Sequence, residues 1–391
     1  MFRFIEFRQL HLIITSACLL AWGLQPSHGA QYQLESTKVK VERVVAKLKV
    51  PWSVAFLPEC EILVTERRGN LFHFDSMGRK TKVENDLKIF AKGQGGLLDV
   101  VAKSDFRNSR EIFLSYSATN RSGLIGTLVS RAILSRNNDR LGDETKVFEM
   151  VPGTNGNRHF GSRIVENNDG TIFITIGDRG ERESAQDLTS HNGTVVRINP
   201  DGTVPENNPF ANDDDILPEI WSYGHRNPQG AGLDLNGNLL VSEHGPRGGD
   251  EVNLVLGGRN YGWPVIGYGV HYSGQKVGIG TTNEGMEQPE LYWDPSIAPS
   301  GLMVYSGKLW PDWEGHVFVG SLKFDYISRI VPGRNFQEAE QISLPETKRV
   351  RDVREAPDGS IWFISEDRGS IYRMVPNSHS DAGKTCEFPI R

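Results

Sequence analysis

The sequence predicts an all-β protein: a six-bladed β-propeller of four-stranded antiparallel sheets, with its active site at one end of the central axis. Two observations predict it. A unit of strand, turn and strand, usually with a third strand, recurs at residues 53–74, 96–116, 161–180, 232–255, 301–331 and 351–375. Between these units no stretch carries the apolar period of a long helix. Alternating β-branched and aromatic residues broken by Asn-Gly or Asp-Gly read as hairpins. Repeated short antiparallel sheets point to a propeller. The irregular spacing argues against a solenoid, and a seventh unit could hide only in the loop-rich stretches.

The elements follow in order. Residues 1–30 read as a secretory leader: Arg3 and Arg8 are basic, the 12–24 run is apolar but short for a bilayer, and Ser27, Gly29 and Ala30 offer a cleavage site. An uncleaved anchor is the alternative. The remainder, 31–391, is expected to be one propeller domain without stable membrane insertion, periplasmic or secreted. A chain of 391 residues could hold two or three ordinary domains, but all-β architectures reach this length as one. Cys60 and Cys386 are the cysteines beyond the leader, and export permits their pairing if the two ends of the chain meet. A net charge of −6 calls for no nucleic-acid partner. Two stretches, 181–218 and 265–300, read as long insertions with little strand pattern, and Asp213-Asp214-Asp215 as a solvated turn.

Four units end a strand on a polar residue: ILVTE (62–66), IFITIGD (172–178), LLVSE (239–243) and IWFISE (361–366). Loops at one face of a propeller converge on the axis, so such residues from different units can meet. Gln94 opens the second unit, His159 precedes the third, and Asp178 ends its strand. Arg226 and Asn227 open the fourth, and Gly245 and Pro246 follow its strand. Lys323 closes a strand of the fifth, and Arg349 and Arg351 open the sixth. Gly245 and Pro246 can turn carbonyl oxygens to one point, which suits a hard cation such as calcium. Singly, each residue has an ordinary reading: a hydrogen-bonded loop histidine, surface cations, a Gly-Pro turn. Together they make one candidate base, four cations and a carbonyl loop at equivalent places, and a concentrated positive pocket in an acidic chain wants an anionic ligand.

These residues lie in GQGGLLDV (93–100), NRHFGSRIV (157–165), TIGDRG (175–180), YGHRNPQG (223–230), SEHGPRGGDEVN (242–253), NYGWP (260–264), GSLK (320–323) and RVRDVREAPDGSIW (349–362). In that order the chain resembles the soluble pyrroloquinoline-quinone (PQQ) dependent sugar dehydrogenases of the glucose/sorbosone dehydrogenase family, in particular their aldose sugar dehydrogenase branch. The resemblance implies that His159 is the general base, that Asp178 orients it, and that Arg226 stabilises developing negative charge. It implies that Gln94, Asn227, Lys323, Arg349 and Arg351 surround PQQ, with Ca2+ on the Gly245 and Pro246 carbonyls. It leaves open a second calcium at Asp250 and Glu251. Lysine and arginine suit the three carboxylates of the cofactor. The implied reaction takes an aldose to its lactone, with a small sugar as substrate and an electron acceptor that no motif names. One departure is Arg158, where the soluble glucose dehydrogenases carry an acidic residue.

Two rival readings keep the propeller. A calcium-dependent hydrolase or lactonase would need carboxylate and amide side chains around an axial metal. A non-catalytic binding propeller would leave His159 and the cations without a task.

Overall fold

The computed structural model of the protein describes residues 29–378. Six antiparallel sheets stand around one axis. Blade 1 is Pro51–Leu57, Glu61–Glu66, Asn70–Phe74 and Lys80–Val83; blade 2 is Leu97–Ala102, Glu111–Thr119, Ile125–Leu134 and Leu141–Glu149. Blade 3 is Ile164–Glu166, Ile172–Ile176, Thr194–Ile198 and Ile220–Tyr223; blade 4 is Pro228–Leu233, Leu239–Glu243, Asp250–Val255 and Leu291–Trp293. Blade 5 is Pro299–Val304, Val317–Ser321, Ile327–Val331 and Gln337–Ile342. Blade 6 takes Val350–Glu355, Ile361–Ser365 and Ser370–Pro376 from the C-terminal part of the chain, then Lys38–Val45 and Ala30–Gln33 from the N-terminal part. The first strands of successive blades touch one another and line the axis.

The six predicted units are the six blades, and each reaches four strands. Blade 6 adds a fifth. The Lys38–Val45 strand closes the ring by pairing with Ser370–Pro376, Val41 facing Met374. The stretch read as an insertion over 181–218 holds the third strand of blade 3. All five of its residues, Thr-Val-Val-Arg-Ile, are buried. A strand covered on both faces loses the polar alternation that marks a strand in sequence. The 265–300 stretch likewise contains Leu291–Trp293. The single α-helix among the described residues is Phe106–Ser109, and no helix there is long and apolar enough to cross a membrane. The proposed leader lies almost wholly outside the described residues, and the first strand begins at its last residue, Ala30. Cys60 is disulfide-bonded, while Cys386 lies outside the described residues.

One turn device recurs between the first and second strands. Asp169 accepts from the Thr171 amide and hydroxyl, and Asp358 does the same for Ser360. An arginine on the third strand of the same blade then reaches over: Arg197 to Asp169 at 2.7 Å, Arg373 to Asp358 at 2.8 Å. These Asp-Gly turns cap the end of the propeller opposite the candidate site.

The axis is filled with charge. Arg163, fully buried, lies 3.1 Å from Asp99 and 3.2 Å from Asp352. Arg354 lies 2.9 Å and 3.0 Å from the same two carboxylates. Ser53 donates to Asp99 at 2.6 Å, and Trp52 lies against the Arg163 guanidinium. Two arginines and two aspartates thus neutralise each other where the first strands of four blades meet. Removing one member leaves a buried charge uncompensated. Arg163→Met should therefore lower the free energy of unfolding by about 3 to 5 kcal/mol, read by chemical denaturation, whereas Arg79→Met, at an exposed pair with Asp75, should cost clearly less.

Candidate active site

Strand alternation puts the candidate residues on one face. The loop before each first strand and the loop after each second strand emerge at the same end of an antiparallel blade. Gln94, His159, Arg226, Asn227, Arg349 and Arg351 come from the first kind of loop or the strand's opening residues. Asp178, Gly245, Pro246 and Lys323 come from the second.

The centre is His159. Its Nδ1 lies 2.6 Å from Asp178 Oδ1, and its side chain is mostly covered. Asp178 is fixed from two more directions, by the Gly180 amide at 2.7 Å and the Trp263 indole N–H at 2.9 Å. With Nδ1 donating to the carboxylate, Nε2 carries the free lone pair, and it makes no hydrogen bond among the described residues. His159 has a left-handed backbone, φ 55°. Non-glycine residues rarely adopt it, and such strain must be held by surrounding bonds. Gln94 Oε1 accepts the His159 amide at 2.6 Å, and Arg179 donates to the Arg158 carbonyl. Gln94, expected to touch cofactor, therefore also holds the backbone of the base.

The charges around the ring set its protonation. Burial lowers the His159 pKa below its ordinary value near 6.5; Asp178 opposes this, and the positive charges of Arg226 and Arg158 add to it. Burial alone would raise the Asp178 carboxyl, but the hydrogen bonds from His159 and Gly180 and the charge of Arg226 leave it lowered. Near neutral pH the pair is thus a neutral imidazole on a carboxylate.

A chain of contacts links the remaining candidates. Asn227 Oδ1 accepts from the Gly161 amide at 3.3 Å and from Gln229 at 3.5 Å. Gln229 accepts from Arg351 at 3.0 Å. Arg351 and Arg349 each bond one oxygen of Glu366, both at 2.8 Å, and Arg349 reaches the Leu322 carbonyl beside Lys323. Two guanidinium groups on one carboxylate leave a net positive charge. Lys323 is exposed and makes no ion pair among the described residues; its ammonium lies 4.8 Å from the Phe324 ring centre.

Arg226 donates to the Gly245 carbonyl at 2.8 Å, and its buried Nε has no partner. Asp250 grips the carbonyl loop, accepting from Gly245 N at 2.8 Å, Ser296 at 2.6 Å and Ala298 N at 2.7 Å. A Cβ at Gly245 would lie 2.2 Å from the Gly249 oxygen, so only glycine lets the loop fold this tightly. The Pro246 carbonyl accepts no hydrogen bond among the described residues. Gly245, Pro246 and Lys323 line one groove of about 720 Å3 with Tyr268 and Tyr272. Both Asp250 oxygens are taken by protein donors. Burial and the neighbouring Glu243 push the Glu251 carboxyl upward.

The residues present fit an anionic quinone and a hard cation. Lys323 and Pro246, whose carbonyl is free among the described residues, line one groove, and Arg226, with its orphaned Nε, lies against the adjoining Gly245 carbonyl. Sequence reading missed Trp263, Glu366, Glu243 and Gln229. Glu243 and Glu366 were visible as strand-final residues of LLVSE and IWFISE, but nothing local said which arginines they would hold.

A propeller whose loops bring a histidine–carboxylate pair and a cationic wall to one end of the axis is an axial-site enzyme scaffold. The family model for glucose/sorbosone dehydrogenase matches residues 48–373. The aldose sugar dehydrogenase YliI of Escherichia coli is 40% identical over 347 residues, 87% of this chain and 94% of that protein. The crystal structure of the soluble E. coli aldose sugar dehydrogenase in the apo-form superposes with a TM-score of 0.83 at 39% identity, covering 87% of this chain and all of that one. The PQQ-bound aldose sugar dehydrogenase of Streptomyces coelicolor gives 0.71 at 25% identity, over 87% and 98%. The chain belongs to the glucose/sorbosone dehydrogenase family.

Asp178→Asn tests the electrostatics directly. It removes the charge that raises the His159 pKa, so the ring should titrate at still lower pH than in the unaltered protein. Arg158→Gln should move it the other way. Both are read by NMR titration of the His159 ring protons.

Proposed function

We propose that this protein is a PQQ-dependent aldose sugar dehydrogenase that oxidises the anomeric carbon to the lactone, outside the cytoplasm. The observation that carries the reading is the His159–Asp178 pair at 2.6 Å, whose Nε2 has no hydrogen-bond partner among the described residues, with Arg226, Lys323, Arg349 and Arg351 on loops or strand openings at the same end of the propeller. His159 Nε2 takes the proton of the anomeric hydroxyl. Asp178 keeps the ring in the tautomer that can accept it and stabilises the imidazolium that results. Trp263 and Gly180 keep Asp178 aimed at Nδ1. Arg226, held by the Gly245 carbonyl, offers positive charge to the oxygen losing its proton. Lys323, Arg349, Arg351, Gln94 and Asn227 would hold PQQ, and the carbonyls of Gly245 and Pro246 would hold Ca2+. The bound quinone supplies the acceptor for the anomeric hydride, and the cation supplies Lewis acidity.

The hydrolase alternative calls for carboxylate and amide side chains around an axial metal. Among the described residues no three His, Cys, Asp or Glu side chains gather in such a group.

PQQ and calcium added together to metal-free protein should give dye-linked oxidation of aldoses that saturates at one PQQ per chain, and a calcium chelator should reverse it. Absence of PQQ binding at every calcium concentration would refute the cofactor assignment. His159→Gln should lower kcat by about 10^2- to 10^4-fold while a spectroscopic PQQ titration stays unchanged. In the unaltered enzyme kcat/KM should fall with acid only below pH 6.5, because the base works unprotonated and burial lowers its pKa.

A further inference from the structure

The cations assigned to the cofactor do not exhaust the positive charge at the site. Arg158 immediately precedes the base and is not one of those cations. Its side chain is exposed and makes no ion pair among the described residues. Its backbone is pinned, because Arg179 donates to its carbonyl and the Arg179 guanidinium in turn lies 3.4 Å from the Phe160 ring centre. Its guanidinium packs directly over Gly180. A Cβ at Gly180 would lie 2.5 Å from Arg158 Nε and 2.9 Å from the terminal nitrogen. Gly180 is also the residue whose amide holds Asp178, so the cation sits at the rim of the His159–Asp178 pair. The lowering effect of Arg158 on the His159 pKa agrees with that position.

A second unpaired cation stands on the adjoining loop. Gln94 N donates to the Asn157 carbonyl at 2.8 Å, and a Cβ at Gly93 would meet that carbonyl at 2.4 Å. The two loops therefore run in contact, and Lys92 on the first is exposed with no ion pair among the described residues. The acidic residues nearby do not cancel them. Glu183 pairs with Arg182, and Glu181 lies beyond ion-pair distance of Arg158. A neutral sugar gives such cations only hydroxyl acceptors, while a guanidinium fork matches a carboxylate or phosphate in shape and charge.

We propose that Arg158, with Lys92 on the adjoining loop, selects aldoses that carry an anionic substituent away from the anomeric carbon, a carboxylate or a phosphate. The inference rests on the dehydrogenase reading. Its test compares kcat/KM of the PQQ- and calcium-loaded enzyme for glucose, glucuronic acid and glucose 6-phosphate at low ionic strength. At least one anionic sugar should exceed glucose, and which one does so tells carboxylate from phosphate. Arg158→Glu should lower the anionic-to-neutral ratio by about tenfold, since it removes an attraction and adds a repulsion at a partly open site. Added salt should shrink the preference. Calorimetry with methyl glucuronide and methyl glucoside, which lack a free anomeric hydroxyl and cannot turn over, gives a second readout and should show the same ranking. Glucose equal to or better than both anionic sugars in the unaltered enzyme would overturn the proposal. So would an Arg158→Glu variant that loses PQQ affinity while its sugar ratio stays fixed. If no aldose is oxidised at all, the dehydrogenase reading fails, and the calorimetric ranking alone decides for or against Arg158.

Discussion

The structure depends on filling the place where six first strands meet. Backbones converging on an axis cannot interdigitate apolar side chains as two stacked sheets do, and the space left is lined by polar groups. Here Arg163, Arg354, Asp99 and Asp352 fill it as a neutral quartet, joined to blade 1 through Ser53 and to blade 4 through the Gln229 carbonyl. Such a cluster adds little net stability over an apolar plug, but it ties five blades to one geometry, because each charge needs partners from other blades. The candidate site lies directly above, and Gln229 belongs to both layers. Its main chain accepts from Arg163 below, and its side chain accepts from Arg351 above.

Histidine–carboxylate pairs are common in this molecule, and their surroundings separate the candidate base from the rest. His225 bonds Glu243 at 2.8 Å, much as His159 bonds Asp178. Yet the other His225 nitrogen is taken by Ser222, and the ring is fully buried under Tyr261. His191 likewise spends both nitrogens, on Glu219 and on the Val151 amide. His159 alone among these three keeps a ring nitrogen without a hydrogen-bond partner among the described residues. Chemistry requires a group that is oriented yet unfinished, and the strained backbone at φ 55° is the cost of holding it so.

The strand-final acids show one scaffold position put to different uses. Glu66 and Glu243 end the second strands of blades 1 and 4, and Glu366 and Asp178 stand just past the second strands of blades 6 and 3. Glu66 accepts the Lys49 amide, Glu243 accepts the Arg226 amide, and Glu366 holds two guanidinium groups. Three of these acids fix loops or cations around the mouth, and one faces the base. The same alternation of strands that gathers these acids also gathers the arginines they restrain.

By itself the sequence determined the blade count, the end of the propeller at which polar residues collect, and the motifs that carry His159, Asp178, Arg226 and the Gly245–Pro246 loop. Those features are local: hairpin turns, strand-final residues and glycine-rich loops are written in adjacent positions. The third strand of blade 3 was not legible, because burial on both faces erased its alternation. Nor could the sequence decide which acid meets which base. Trp263 reaches Asp178 across 85 residues, and Arg354 reaches Asp99 across 255. Such partners are chosen only when the ring closes and brings separate blades to one axis, so tertiary structure alone decided that Glu366 restrains Arg349 and Arg351, and that Arg158 is left unpaired at the rim.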